Sequence, residues 1–382
     1  VLRADPKRQG LLYAGTEYGM YISFNDGANW QPFQLNLPMV PITDLAIKND
    51  NLIAATQGRS FWLIDDISPL HQMTTETANA EAFLYKPIPS YRFGAESRFE
   101  FTIPNAGQNH PGGVMLHYHL KNKPDTAAVA TLEILDNAGK TIRTFSTKAK
   151  EKEDKLAMKQ GMNRFVWNMR YADAAKFDGL IMWSGSTRGP KAVPGMYKAR
   201  LTYKGNVQEV PFEIKADPRS KATSADLQAQ FQFLSEIRDK LTETHEAIKS
   251  IREVRKQITD VTGRVKNEAD KKEIAEAVKK MNEKLTRIEE TLYQTKNRSG
   301  QDPLNFPIRL NDKLAGVASG AASGDFAPTE QSYAVKKELT AQIDAELAKL
   351  KNVMSTDVPA FNELIKSKNV PAVVVADKPV TP

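Results

Sequence analysis

In a chain without cysteine, acid–base and nucleophilic chemistry falls to carboxylates, histidines and hydroxyls. None of the 382 residues is cysteine, which excludes thiol catalysis, disulfides and cysteine-based zinc sites. Hydrolysis of a glycosidic bond needs an acid and a second carboxylate roughly 5–9.5 Å apart. Of the carboxylates near the start of the chain, Glu17, Asp65 and Asp66 are the ones to weigh, with Arg59 as the neighbouring cation. Adjacent Asp65 and Asp66 would alternate across a strand and face opposite sides, so they do not form an acid–base couple. Followed by Ile67-Ser68-Pro69, they read as strand-end and turn residues. Glu17, Arg59 and Asp65 are the candidate ligand-site residues. His117-Tyr118-His119 puts two imidazoles on one face of a strand, and His110 precedes a Pro-Gly-Gly turn. Two histidines at this spacing can share a metal if a third ligand arrives from elsewhere. No carboxylate accompanies His117 and His119 in sequence, and solvent-facing strand histidines are the plainer reading, so no cofactor is expected. His245 sits mid-helix and reads as a helix-surface residue. Gly185, Gly189 and Gly195 lack the strand–loop–helix order of a phosphate cradle.

The elements around these residues begin with short strands. Leu11–Thr16, Gly19–Ser23, Ile42–Ile47, Asn51–Thr56 and Ser60–Ile64 follow one another at close, even spacing, as an all-β repeat array does. Between the second and third lies Ser23-Phe24-Asn25-Asp26-Gly27-Ala28-Asn29-Trp30. Asn-Asp-Gly is a hairpin turn signal, because Gly takes positive φ freely and the Asn and Asp side chains bond their own backbone. A Ser before the turn and a Trp after it would lock and cover it.

This turn resembles an Asp-box, the bacterial neuraminidase repeat Ser-x-Asp-x-Gly-x-Thr-Trp. Ser23, Gly27 and Trp30 match, while Asn25 stands where the family has Asp and Asn29 where it often has Thr. Asp26 completes the turn, and Asn25 keeps the carbonyl acceptor. Such boxes lie on the outer hairpins of β-propeller blades, so the resemblance implies fold more than chemistry. Leu12–Gly19 and Ala55–Asp66 are similar to the final blades of bacterial sortilin-like propeller proteins. The similarity continues through Asn163-Arg164-Phe165-Val166-Trp167, Pro194-Gly195-Met196-Tyr197 and Asn297–Pro307. It implies an exported, periplasmic or surface protein. About 70 residues hold one or two blades, whereas propellers close with roughly 4–8. The chain opens at Val1, without Met and within a strand-rich repeat, so the remaining blades are expected upstream. Sialidase-like members need an arginine cluster and a Tyr–Glu couple, which a lone Arg59 does not supply.

After the propeller-like part (1–70) and a linker (71–92), period-two patterning returns over 93–217. Candidate strands are 98–103, 114–120, 130–135, 141–146, 161–168, 195–203 and 207–214, an immunoglobulin-like β-sandwich. Leu132, Ile134, Phe145, Phe165, Trp167, Tyr197, Leu201 and Phe212 are its expected core. The next segment, 218–353, reads as an antiparallel helical bundle. Thr223-Ser224-Ala225-Asp226 is a capping box. Leu227, Leu234, Leu241 and Ile248 then recur every seven residues along a helix of about 35 residues, near 50 Å long. A second helix carries Ile274 to Leu292 and a third Leu339 to Leu350. Residues 297–328 form the crossover between them, with Gly316–Gly324 flexible, and 354–382 a C-terminal tail.

Formal net charge is +7, but from Lys221 to Lys296 there are 16 Lys and Arg against 14 Asp and Glu, interleaved at helical spacing. That is a solvated helix face rather than a nucleic-acid stripe, so no nucleic-acid partner is expected. No run of 18 apolar residues occurs, so no transmembrane segment is expected. The fold class that follows is multidomain β plus α: terminal blades, sandwich and bundle. The function that follows is a binding or scaffolding module with a peptide, glycan or protein ligand. The alternative is a glycoside hydrolase, sialidase- or glucanase-like, whose carboxylates lie in upstream blades.

Overall fold

The structure, a computed structural model, describes residues 1–93, 107, 109–125 and 127–371. The chain is mixed β and α. It divides into two compact units: Val1–Met169 with Pro194–Asp217, and Arg170–Val193 with Pro218–Pro382. The segment 170–193, expected within the sandwich, therefore packs with the helices instead.

The first unit opens with two antiparallel meanders. Strands β1 (Leu2–Ala4), β2 (Leu12–Thr16), β3 (Gly19–Ser23) and β4 (Gln31–Pro32) pair in chain order, as do β5 (Ile42–Lys48), β6 (Asn51–Thr56) and β7 (Phe61–Ile64). Their alternation turns Tyr13, Met20 and Ile22 of one sheet and Ile42, Leu45 and Leu52 of the other into one core, with Leu11 and Ile67. Asn49 and Asp50 join β5 to β6 with φ of 52° and 61°, the two left-handed residues that a two-residue hairpin requires. Between β3 and β4 the buried Ser23 hydroxyl accepts from the Gly27 amide (3.0 Å) and donates to the Asn25 side-chain oxygen (3.1 Å), which accepts from the Asn29 amide (2.9 Å). Asp26 and Gly27 take φ of 60° and 87°, and Trp30 remains 40 % exposed. On the edge strand β7, Phe61 and Leu63 face solvent.

Residues 71–92 are not a linker. Helix α1 (Ser68–Gln72) is started by Asp66, whose carboxylate accepts from the Ser68 amide, and α2 (Thr75–Asn79) by a Thr74–Thr77 capping box. Strands β8 (Ala82–Leu84) and β9 (Ser90–Arg92) then join two further sheets. With β10 (Val114–Leu120), β11 (Ala130–Asp136), β12 (Thr141–Ser146), β13 (Gly161–Trp167), β14 (Gly195–Tyr203) and β15 (Asn206–Ala216), the orders are β13-β10-β8 and β12-β11-β14-β15-β9. Among the described strands, only β9 runs parallel to its neighbour. The expected strand at 98–103 lies outside the described residues. Trp167 packs edge-on against Tyr197 and Phe212, and all the expected core residues are buried except Phe165, which is half-buried.

In the second unit, α3 (Ser224–Thr262) starts at the Thr223–Asp226 capping box and stops at Gly263. Its 39 residues span about 58 Å at 1.5 Å each. It shares one apolar core with α4 (Glu268–Leu292), α5 (Leu310–Ala321), α6 (Glu330–Asn352) and α7 (Val358–Ser367). The stretch expected as a crossover thus contains a helix, α5. Gly316 lies within it, because Leu310, Leu314 and Ala315 bury one of its faces. The tail expected from 354 is helical as far as Ser367 and buries Phe361; residues 372–382 lie outside the description. Segment 170–193 adds Ala174 and Phe177 to this core. Buried Asp312 of α5 holds it in place by accepting from the Trp183 and Ser184 amides, both at 2.8 Å.

Candidate functional site

A cleft of about 630 Å³ opens in the first unit, bordered by the β5–β6 hairpin, α1 and the strand β9. Its polar wall is organised by Asp5, whose side chain is fully buried. The Asp5-Pro6 turn places that carboxylate so that one oxygen accepts from the Lys7 and Arg8 amides, at 2.8 and 2.9 Å. The other oxygen accepts from the Tyr13 hydroxyl at 3.0 Å and from His71 Nε2 at 2.9 Å. Burial pushes the Asp5 carboxyl up, but the Lys7 amide, His71, the Arg8 amide and Tyr13 together outweigh it and hold the group below its ordinary range. Burial, then the Asp5 charge, pushes the Tyr13 phenol well up, so it stays a neutral donor.

Asp5 thus fixes the ring of His71, carried in the last turn of α1, with Nε2 donating. The other ring nitrogen faces Asp50 at 4.0 Å, and Asp50 in turn pairs with Lys7 at 2.6 Å. Both Asp50 and His71 line the cleft. Across from them, Tyr91 of β9 and Phe93 lie nearly parallel (28°), with ring centroids 5.8 Å apart. Both rings are exposed, at 43 % and 42 %, and Lys215 of β15 stands beside Tyr91 in register. The arrangement offers a histidine of fixed orientation, a carboxylate paired with a lysine and a stacked, partly exposed aromatic pair. No hydroxyl is bonded to the free side of His71, so the geometry of a nucleophile–base pair is absent among the described residues.

Of the three ligand-site candidates read from sequence, only Asp65 lines this cleft. Glu17 is exposed in the β2–β3 turn and Arg59 is exposed in the β6–β7 turn. Arg59 and Asp65 flank opposite ends of β7, about 20 Å apart along an extended strand. The residues Asp5, Asp50, His71, Tyr91 and Phe93 were not legible as a site. Asp5-Pro6 and Asn49-Asp50 announce turns, but nothing local says that a histidine 66 positions away closes on Asp5.

The histidine pair on β10 departs from expectation. This strand is covered on both faces, so His117 is buried rather than solvent-facing, and a carboxylate does accompany it: Asp66 lies 3.5 Å from its Nδ1. Burial pushes the His117 imidazole down, Asp66 pulls it up and Arg164 pushes it down. His119 is half-buried and depressed by burial. Among the described residues no group of three His, Asp or Glu side chains is placed to hold a metal ion.

His245 is also corrected: it is fully buried, not a surface residue. Its Nδ1 donates to the Ala175 carbonyl at 2.5 Å, which makes Nε2 the acceptor facing the Asn311 amide nitrogen at 3.2 Å. The ring stacks edge-on against Phe177. This is a structural cluster that joins segment 170–193 to α3 and α5.

No helix is long and apolar enough to cross a membrane among the described residues. No protein-family model and no curated protein matches the chain.

Proposed function

We propose that this chain is the C-terminal part of an exported propeller protein and serves as a binding or scaffolding module for a peptide, glycan or protein partner, with the cleft beside His71 as its ligand site. The observation that carries this reading is the state of the polar groups there. Asp5 has all its acceptor positions used, Lys7 is neutralised by Asp50, and among the described residues no hydroxyl is bonded to His71. Groups held in fixed pairs recognise a ligand at little ordering cost.

The blade reading of the two meanders draws support from their edges. Phe61 and Leu63 on β7 are 76 % and 51 % exposed, and Leu2 on β1 is 55 % exposed. Unpaired edges carrying apolar side chains are a liability unless other strands cover them. In this reading the remaining blades take those edges, and the Ser23–Trp30 turn sits on an outer hairpin. The sheets of β8 to β15 form an immunoglobulin-like sandwich, and the helices form a bundle that braces or docks the assembly.

The test is to incubate the purified chain with glycan and peptide arrays while product is followed by mass spectrometry. Saturable retention without new product is expected. Release of shortened sugar by the chain itself would overturn the reading, and release only by a longer protein carrying further blades would favour the hydrolase.

A further inference from the structure

We propose that a pocket in the helical unit binds a free α-amino acid, with its carboxylate on Arg252 and Arg298 and its ammonium group on Asp178 and Asn297. This site is separate from the cleft beside His71, which belongs to the other compact unit. The pocket lies where segment 170–193, α3 and the loop after α4 come together. Its volume is about 400 Å³, toward the small end of the roughly 300–1,000 Å³ over which small-ligand sites are generally found.

Both cations are held in place by the fold. The Arg252 guanidinium stands over the Phe177 ring, 4.7 Å from its centroid, and 5.8 Å from that of Tyr293. Its Nε donates to Glu289 at 2.8 Å and its Nη1 to the Asp178 carbonyl at 2.9 Å. Its Nη2 has no partner among the described residues. Arg298 donates from Nη1 to the Thr295 and Asn297 carbonyls at 2.8 and 3.0 Å, which leaves its Nε and Nη2 unengaged among the described residues. Asp302 fixes the backbone there by accepting from the Arg298 amide at 2.5 Å and the Ser299 amide at 2.8 Å. Guanidinium N–H groups held this way suit the planar, two-oxygen geometry of a carboxylate.

The same pocket holds acceptors. Asn297 is 5 % exposed, and its buried amide oxygen has no hydrogen-bond partner among the described residues. A buried acceptor left unpaired carries a desolvation cost that a donor on the ligand removes. Asp178 is exposed at the pocket, and its carboxylate makes no ion pair with a described residue. An ammonium group, three donors and no acceptor, satisfies both oxygens at once. Guanidinium and carboxylate groups lining one small pocket match a molecule that carries both signs. A phosphate dianion would use the arginines but meet Asp178 as a like charge.

The experiment is calorimetric titration of the full chain with each standard L-amino acid, with the N-acetyl and carboxamide derivatives of those that bind, and with inorganic phosphate. At least one free amino acid should bind saturably, and blocking either its amine or its carboxylate should weaken it by about tenfold, the worth of one charge-assisted contact. Arg298→Gln should weaken it by about tenfold for the same reason. Asp178→Asn should weaken the free amino acid by about tenfold and leave the N-acetyl derivative unchanged, because only the free form brings an ammonium group. Thermal unfolding of Asp178→Asn should match the parent, since that side chain is exposed and unpaired among the described residues. The inference is overturned if no free amino acid binds, if phosphate alone binds, or if binding is indifferent to Arg298→Gln. It is equally overturned if Asp178→Asn does not distinguish the free ligand from the acetylated one.

Discussion

Replacing His245 with glutamine should remove a pH dependence from the helical unit while leaving its packing intact. The ring donates from Nδ1 to the Ala175 carbonyl and accepts at Nε2 from Asn311, so only the neutral form satisfies both ends. Burial pushes the imidazole down, the Ala175 bond pulls it back up, Lys249 pushes it down and Glu246 pulls it up. The group is therefore depressed in the folded state and ordinary, near 6.5, in the unfolded one. Above about pH 6.5 both states hold a neutral ring and pH does nothing. Below it the unfolded chain takes up the proton first, so stability falls as pH falls, at no more than about 1.4 kcal/mol per pH unit. Between pH 6.5 and 5.0 the loss is bounded at about 2 kcal/mol. Glutamine can donate and accept at the same two partners and does not titrate. Urea unfolding followed by circular dichroism at 222 nm, where α3 to α7 dominate, gives the slope for parent and His245→Gln. The parent should lose stability between pH 7.5 and 5.0 and the variant should lose less. His117 titrates in the other unit and is common to both proteins, so it cancels in the difference. Identical slopes, or a variant with the steeper one, would refute the forced-tautomer argument.

Three further outcomes follow from the geometry. Asp5→Asn should cost about 2 kcal/mol at pH 7, since an amide replaces charge-assisted bonds to His71 and Tyr13. Because the Asp5 carboxyl is depressed, its contribution is present above the ordinary carboxylate range and lost as pH falls through the folded value; the gap between Asp5→Asn and parent in thermal melts should therefore narrow as pH falls below the ordinary carboxylate range. Gly185→Ala places a methyl 2.3 Å from the Ala315 backbone carbon, so α5 or the segment must move, at a cost of about 1–3 kcal/mol read by urea unfolding. Glu289, 4 % exposed, receives Arg252 at 2.8 Å and also Arg255; Glu289→Ala should cost about 2 kcal/mol, less than a wholly buried pair because both arginines remain partly wet, and a charge-restoring Glu289→Asp should recover part of it.

What could be read from the sequence was whatever is encoded locally. The capping box at Thr223, the heptad row of α3 and the alternation of β10 to β15 each depend on neighbours a few residues away, and each lies where local chemistry places it. Strands β8 and β9 escaped notice because three residues carry too little periodicity to separate from a polar passage. Helix α5 was hidden by Gly316 and Gly320, whose low helix propensity is overridden by the packing of Leu310, Leu314 and Ala315. His245 was misplaced because a polar residue on an apolar stripe looks like a surface residue until its partners, Ala175 and Asn311, are brought from 70 and 66 positions away. The cleft is the same problem in stronger form: Asp5, Asp50, His71 and Tyr91 stand on four separate elements, and no spacing rule connects them.

Segment 170–193 leaves the first unit after β13 and the chain returns to it at β14, so the polypeptide passes from one unit to the other three times. During synthesis this sets an order of events. The first unit has all its strands once Asp217 has emerged. The 24-residue segment, counted from 170 through 193, then carries Phe177 and Met182 without the helices that cover them. Trp183 waits for Asp312, 129 positions downstream. Counted from Asp217, where the first unit is complete, the wait at about 5–20 residues per second is roughly 5–19 seconds. For that interval an apolar loop hangs from an otherwise finished fold, a natural place for a chaperone to hold the nascent chain and for a protease to cut it.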